Sequence, residues 1–299
     1  MSRLLIVLLF AGASALTGCA TLTQSQVEAV NQFATLTGKG VDYPEKVLNE
    51  VLDSQYKRRV LNASQNVGAT DPLTYKAIAD LHSEKLRSLD TARRFKASMA
   101  AISAYATALQ RLSSPDFATT AGTSADALGE SVDKVAAFIP GVSGVGAALS
   151  GTLKALSGRY ISGKQTKAIQ RFVAEGDALV AALCQSNETY FQNNVSVFID
   201  GIELVNTRNV DGLLRSIPTG AAVERYQMAV NVSALVAQQQ QLKQLNKQTV
   251  LAFRQVRLAH AELKQSLMAK QTLASLGKQL LGLYNAVQDL QTTYKEVKL

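Results

Sequence analysis

Residues Ala221–Leu276, AAVERYQMAVNVSALVAQQQQLKQLNKQTVLAFRQVRLAHAELKQSLMAKQTLASL, run for 56 positions without a Gly or a Pro. Within them Leu242, Leu245, Thr249, Ala252, Val256, Ala259 and Leu263 recur by three and four. The rhythm slips near Lys270 and resumes as Leu273, Leu276, Leu280, Leu283, Val287, Leu290, Tyr294 and Val297. Steps of three and four keep apolar side chains on one stripe of a helix, so the pattern predicts long packed or coiled-coil helices with one phase shift.

The same reading extends upstream. Gln26 to Thr37 predicts a modest helix, with Gly38-Lys39-Gly40 as its stop, and Pro44 opens a second helix to about Leu61. Asp71 before Pro72 is an N-cap followed by a residue suited to the first helical turn. From there to Leu112 nothing interrupts, and roughly forty residues at 1.5 Å each predict a rod of about 60 Å. Phe117 to Thr123 reads as a loop or single turn, and Ser124 as the cap of a short helix to Ile139. A long helix with Ile169, Phe172, Leu179, Leu183, Phe191, Val195, Phe198, Ile202 and Val205 on its apolar face follows, then a connector at 206–216. No convincing period-two run occurs. The expected fold is all-α: an elongated bundle of long antiparallel helices with one short apolar hairpin.

Composition agrees. Of 299 residues 47% are apolar, with five Pro and 19 Gly, which excludes a disordered or collagen-like chain. Two Cys and two His are too few for a multi-ligand zinc or iron–sulfur site, so no cofactor or metal is expected. Neither HExxH nor GxSxG is present, and carboxylates such as Asp126, Glu130 and Asp133 at helical spacing read as a wet face, so no catalytic residue is nominated. Gly158-Arg-Tyr-Ile-Ser-Gly163-Lys164 approaches a phosphate-binding loop, but Gln165 stands where the Mg²⁺-binding hydroxyl belongs and a helix precedes it.

The N-terminus carries an address. Arg3 precedes the uncharged stretch Leu4–Ala15, LLIVLLFAGASA, which has the length of a signal peptide and is too short for a ~20-residue span. It ends in Leu16-Thr17-Gly18-Cys19, which resembles the lipobox of bacterial lipoproteins. The resemblance covers the leader alone. It implies cleavage after Gly18, diacylglycerol on Cys19 and an acylated new N-terminus. It also implies anchoring in a membrane of the cell envelope. Ala20, by analogy with enteric bacteria, directs the product to the outer membrane facing the periplasm. Residues 1–18 are then signal peptide, 19–25 tether, and 26–299 one helical domain. Cys184 is left as a lone thiol inside an apolar helical run, where burial is expected.

Two constellations remain. Val135–Leu153, VAAFIPGVSGVGAALSGTL, is uncharged between Lys134 and Lys154, and hinges at Pro140-Gly141. It has a small-residue row at Ser143, Ala147, Gly151 and Ala155, and Pro140, Gly141, Gly144, Val145 and Gly151 are its candidate membrane-contact or close-packing residues. One reading is a core hairpin closely approached along that row. The others are an interface patch and a membrane-active tongue, which resembles the hydrophobic hairpins of α-helical pore-forming toxins through no specific motif. From Thr219 onward ten Lys and Arg face four acids. Lys243, Lys247, Arg254, Arg257 and Lys264 fall opposite the leucine seam, as a solvated face or a contact for an anionic envelope polymer, lipid or protein. The stripe lacks interleaved aromatics, so nucleic acid is not an expected partner. The expectation is a lipid-anchored, non-enzymatic binding or structural protein, with membrane activity of the hairpin as the alternative.

Overall fold

The computed structural model describes residues 22–65, 75–114, 117–155, 162–216, 222–269 and 273–297. The described residues are all-α. In chain order the helices are α1 (Gln24–Gly40), α2 (Pro44–Gln65), α3 (Tyr75–Leu112), α4 (Phe117–Ala136), α5 (Val145–Lys154), α6 (Ser162–Tyr190), α7 (Ser196–Ser216), α8 (Ala222–Ala269) and α9 (Leu273–Val297). A π turn, Phe191–Val195, joins α6 to α7 without a break. The leader with Cys19, the Thr70-Asp71-Pro72 start and the Gly158 end of the phosphate-loop-like stretch lie outside the described residues.

The seam read from α8 is the core. Leu242, Leu245, Thr249, Ala252, Val256, Ala259 and Leu263 are all buried, as are Leu276, Leu280, Leu283, Val287, Leu290 and Tyr294 of α9. The phase shift near Lys270 marks a reversal: α8 and α9 pack antiparallel, with Ser275 donating to Glu262 and Gly282 lying against Gln255. A strict heptad continues only while the helix does, so the slip is where the rod folds back.

The run α6–π–α7 lies antiparallel to α8 along its length, Gln170 opposite Leu267 at one end and Glu203 opposite Lys243 towards the other. The π turn follows from the sequence. Leu183, Asn187, Phe191, Val195 and Ile199 are each four apart and all buried. In a 3.6-residue helix each such step rotates by about 40°, so four steps would carry Ile199 roughly 160° round towards solvent. One wide turn absorbs the drift and keeps the stripe on the core. The ring cluster of Phe95, Phe191 and Phe253, with Phe95 and Phe191 centroids 5.3 Å apart, packs at that turn.

Several boundaries correct the expectations. α1 runs through Gly38 and Lys39 and ends at Gly40, which is also a packing contact: a Cβ there would meet Val287 Cγ2 at 3.1 Å. Phe117–Thr123 is helical, since Phe117, Ala121, Ala125, Leu128, Val132 and Val135 form one buried stripe that overrides weak local propensity. Residues 206–216, expected as a connector, continue α7 despite Gly212.

The hairpin of α4 and α5 is part of the core. Val135, Ile139, Val142, Leu149 and Leu153 are buried. Pro140 is exposed at the turn, where Gly141 and Gly144 take φ of 84° and 78°, a region open mainly to glycine. The close approach lies on a different face from the one expected. Ser143, Ala147, Gly151 and Ala155 are exposed, and a Cβ on Gly151 would meet nothing within 4 Å. The tight row is Gly129 and Gly146 instead: Gly146 lies against Val132 of α4, and Ser150, packed on Gly129, donates to the Ala125 carbonyl at 2.7 Å. Val145 is half-buried beside it. Among the described residues, no helix is long and apolar enough to cross a membrane.

Candidate functional site: a stitched base, a buried polar node and an exposed arm

Three glutamines stitch one end of the bundle. The last carbonyls of a helix have no partner within it. Gln165 Nε2 donates to the Leu112 and Ser114 carbonyls at the end of α3, at 2.7 and 3.0 Å. Gln170 Nε2 donates to Leu267 O at 2.8 Å and Gln26 Nε2 to Ser266 O at 3.2 Å, both near the end of α8. The start of the described chain belongs to this base. Leu22 N–H donates to Thr166 Oγ1 at 3.2 Å, and Thr23 closes a capping box with Gln26.

At mid-height a polar node crosses the core. Tyr105 (α3), Asp177 (α6) and His260 (α8) meet there, with Tyr105 and His260 at 0% and 1% exposure. His260 Nδ1 lies 3.2 Å from Asp177 Oδ1 and Nε2 lies 2.7 Å from Tyr105 Oη. A carboxylate only accepts, so Nδ1 carries the proton and donates to Asp177, and Nε2 accepts from the Tyr105 hydroxyl. Lys264 Nζ holds the second carboxylate oxygen at 2.6 Å. Tyr105 stacks on Phe172, with centroids 5.0 Å apart and planes 7° from parallel, and the Phe33 ring sits edge-on to His260.

Burial holds His260 below the usual imidazole range, outweighing Asp177, and raises the Tyr105 phenol well above 10.0. The hydrogen bond from His260, together with that from Lys264, holds the Asp177 carboxyl down to about 2 against partial burial. The imidazole is therefore neutral and both its nitrogens are occupied. No solvent-borne substrate reaches either ring, so the node joins helices and fixes their register.

Linkage gives the node a pH signature. The folded chain keeps His260 neutral below the ordinary imidazole value of 6.5, where the unfolded chain binds a proton, so stability falls as pH drops below that value. Asp177 adds a second loss in the same direction as pH falls from 3.8 towards about 2. From about pH 7.5 to about pH 5 the His260 share reaches at most about 2 kcal/mol. Urea unfolding across that range is expected to show this slope, and His260→Gln, which cannot titrate, to lose it. An unchanged slope in the variant would contradict the assignment.

The basic stripe is largely spoken for. Arg254 Nε and Nη2 grip Glu188 Oε1 at 2.9 and 2.7 Å, and Arg257 Nη2 lies 3.3 Å from Oε2 of the same carboxylate. Lys264 is on Asp177, and Lys243 is on Glu203 at 2.6 Å. Four of the five cations thus form an ion ladder between α8 and the α6–α7 run, half-exposed and neutralised by their neighbour. Lys247 is exposed and belongs to no such pair among the described residues. Cys184 is a free thiol at 0% exposure, and burial pushes it up to about 12, which leaves it inert.

The ends of α7 and α8 opposite the base form an arm. The tip of α2 braces its root, where Arg58 Nη2 donates to Gln238 Oε1 at 3.2 Å. Beyond Gln238, residues 222–237 are exposed or half-buried, a length of about 24 Å. Val223, Tyr226 and Val230, spaced by three and four on one face, are 78%, 71% and 44% exposed, and Val236 is 48% exposed. Sequence reasoning passed over this segment because its apolar residues continue the helical period of α8 and read as more core. No protein-family model, curated protein or solved structure matches the chain.

Proposed function

We propose that this chain is a lipoprotein of the bacterial cell envelope, anchored in the outer membrane through Cys19. Its helical body then acts, without catalysis, as a strut that holds the α7–α8 arm out into the periplasm for a protein partner. The observation that carries this is the polarity of α8. Its last turn is stitched to the start of the folded chain, and its first turns bear the exposed apolar face. Cys19 is three residues before Leu22, so the point of lipid attachment lies within about 10 Å of the base. Forty-eight residues of α8 at 1.5 Å each set the arm's tip about 70 Å away. The ladder of paired cations makes the apolar arm, not the basic stripe, the contact surface. Apolar side chains left in water along one helical stripe are the usual mark of a helix that packs on a partner.

Cross-linking tests this. A photo-reactive residue in place of Val223, Tyr226 or Val230 is expected to trap one discrete envelope protein in intact cells. The same group at Glu28 or Lys96, exposed on the body, is expected to trap none. Silence at all three arm positions, or the same adduct from the body, would overturn the assignment.

A further inference from the structure

The outward face of the arm has a heptad register of its own. Val223, Val230 and Ala237 are seven apart, Tyr226 and Ser233 fall between them, and all five are exposed. These are the a and d positions of two heptads. On the other side of α8, Val232, Leu235 and Gln239 line the space against α7, so the arm is packed on one face and bare on the opposite one. Val236, also exposed, stands at a g position beside the bare seam.

Three features point to what covers that seam. The flanking e and g positions are Gln227, Ala229, Ala234 and Val236, all uncharged, while Glu224 and Arg225 fall at b and c, away from it. Copies of a basic chain repel one another, and here no like charges would meet. β-Branched valine at the a positions 223 and 230 favours two parallel strands. Copies anchored through Cys19 in one bilayer would also hold their arms at one height and pointing the same way. Below the arm the d positions turn to Gln240 and Lys247, and the tip of α2 stands at the root, which confines the pairing to the arm.

We propose that the arm pairs with the arm of a second copy, parallel and in register, with Val223, Tyr226 and Val230 each against its counterpart. This rests on the strut reading and its anchor. A seam of two heptads is too short to hold free chains together. Copies confined to one membrane meet at a raised effective concentration, which makes up the difference.

Disulfide trapping in intact cells tests the pairing. Single cysteines go in at Val223 and Val230 on the seam and at Glu224 and Asn231 off it; all four positions are exposed, and Cys184 is buried. Under mild oxidation Val223→Cys and Val230→Cys are expected to give homodimers at least about tenfold faster than Glu224→Cys and Asn231→Cys, because only facing a positions come within disulfide reach. Val230→Lys added to Val223→Cys sets two cations face to face and is expected to return trapping to the rate of the off-seam positions. Producing that protein together with Val223→Cys carrying Val230→Glu is expected to restore it. Trapping at Val230 but not at Val223 would mean an antiparallel pair and overturn the register. Equal trapping at all four positions, or none at any, would overturn the proposal. Fractionation of the same cells separates the failures: monomers in the membrane fraction overturn the self-pairing and leave the anchored strut, whereas protein in the soluble fraction removes the anchor and the proposal with it.

Discussion

Gly176→Ala is expected to destabilise the protein by about 2–4 kcal/mol, although alanine is the better helix former by about 1 kcal/mol. A methyl group there would fall inside contact distance of Tyr105 Cε2 and 2.7 Å from both Cζ and Oη. Tyr105 has nowhere to go. One face of its ring is stacked on Phe172, and its hydroxyl is held at 2.7 Å by His260, which Asp177 holds in turn. Making room breaks the hydroxyl–imidazole bond and leaves Nε2 buried without a donor, at about 1–3 kcal/mol, on top of the overpacking. The shift in denaturant midpoint measures the sum. Gly151→Ala is the control: it sits on the exposed face of α5 with open space around it, and is expected to be neutral or slightly stabilising. Equal effects at the two positions would show that the node does not fix the register of α3 against α6.

The second large effect concerns the anchor. Exchange of residues 1–19 for a cleavable leader without a lipidation cysteine is expected to move the protein from the membrane to the soluble periplasmic fraction. The expected change in partition is at least about a hundredfold. In the proposed anchor, three acyl chains at ~0.8 kcal/mol for each buried methylene would hold the protein firmly, and the exchange removes all of them. Within the 135–153 hairpin, Val135, Ile139, Val142, Leu149 and Leu153 are already committed to the core. Exchange of the whole leader is preferred to Cys19→Ser, because an unprocessed leader would itself bind the membrane. Protein that stays with the membrane after the exchange would contradict the anchor and point to the arm or the hairpin as a lipid contact.

Much of the fold was legible because its signal is periodic. Every residue of the Leu242–Leu263 seam is buried, since steps of three and four have one geometric meaning over so many turns. What misled was punctuation. Gly38 and Gly212 read as breaks yet lie within helices, whereas Gly40 does end α1; a glycine costs a helix only about 1 kcal/mol, which packing readily overrides. The π turn was present as four successive steps of four, a drift no regular helix sustains, but it shows only when burial is known at each step.

The candidate site was less legible, for a different reason. His260 meets partners 155 and 83 residues away, and separation along the chain conceals such meetings. One trace was available: the order of the acids Asp177, Glu188 and Glu203 mirrors that of the bases Lys264, Arg254 and Lys243. That is the pattern of charges paired across an antiparallel hairpin. Read that way, the basic stripe is half of an internal ladder. The small-residue row at Ser143, Ala147, Gly151 and Ala155 has helical spacing but the wrong face, because spacing fixes a stripe and not its direction.

The strut itself is tested by distance from the bilayer. Cys184 is buried and inert and Cys19 carries the lipid in this account, so a cysteine introduced at Gln24 or at Tyr226 takes a dye selectively. With lipidated protein in vesicles bearing acceptor dye at their surface, energy transfer is expected to be efficient from position 24. It is expected to be nearly absent from position 226, about 60 Å further along the bundle. Equal transfer from both positions, or stronger transfer from 226, would mean that the arm lies on the membrane and that the protein does not present it to the periplasm.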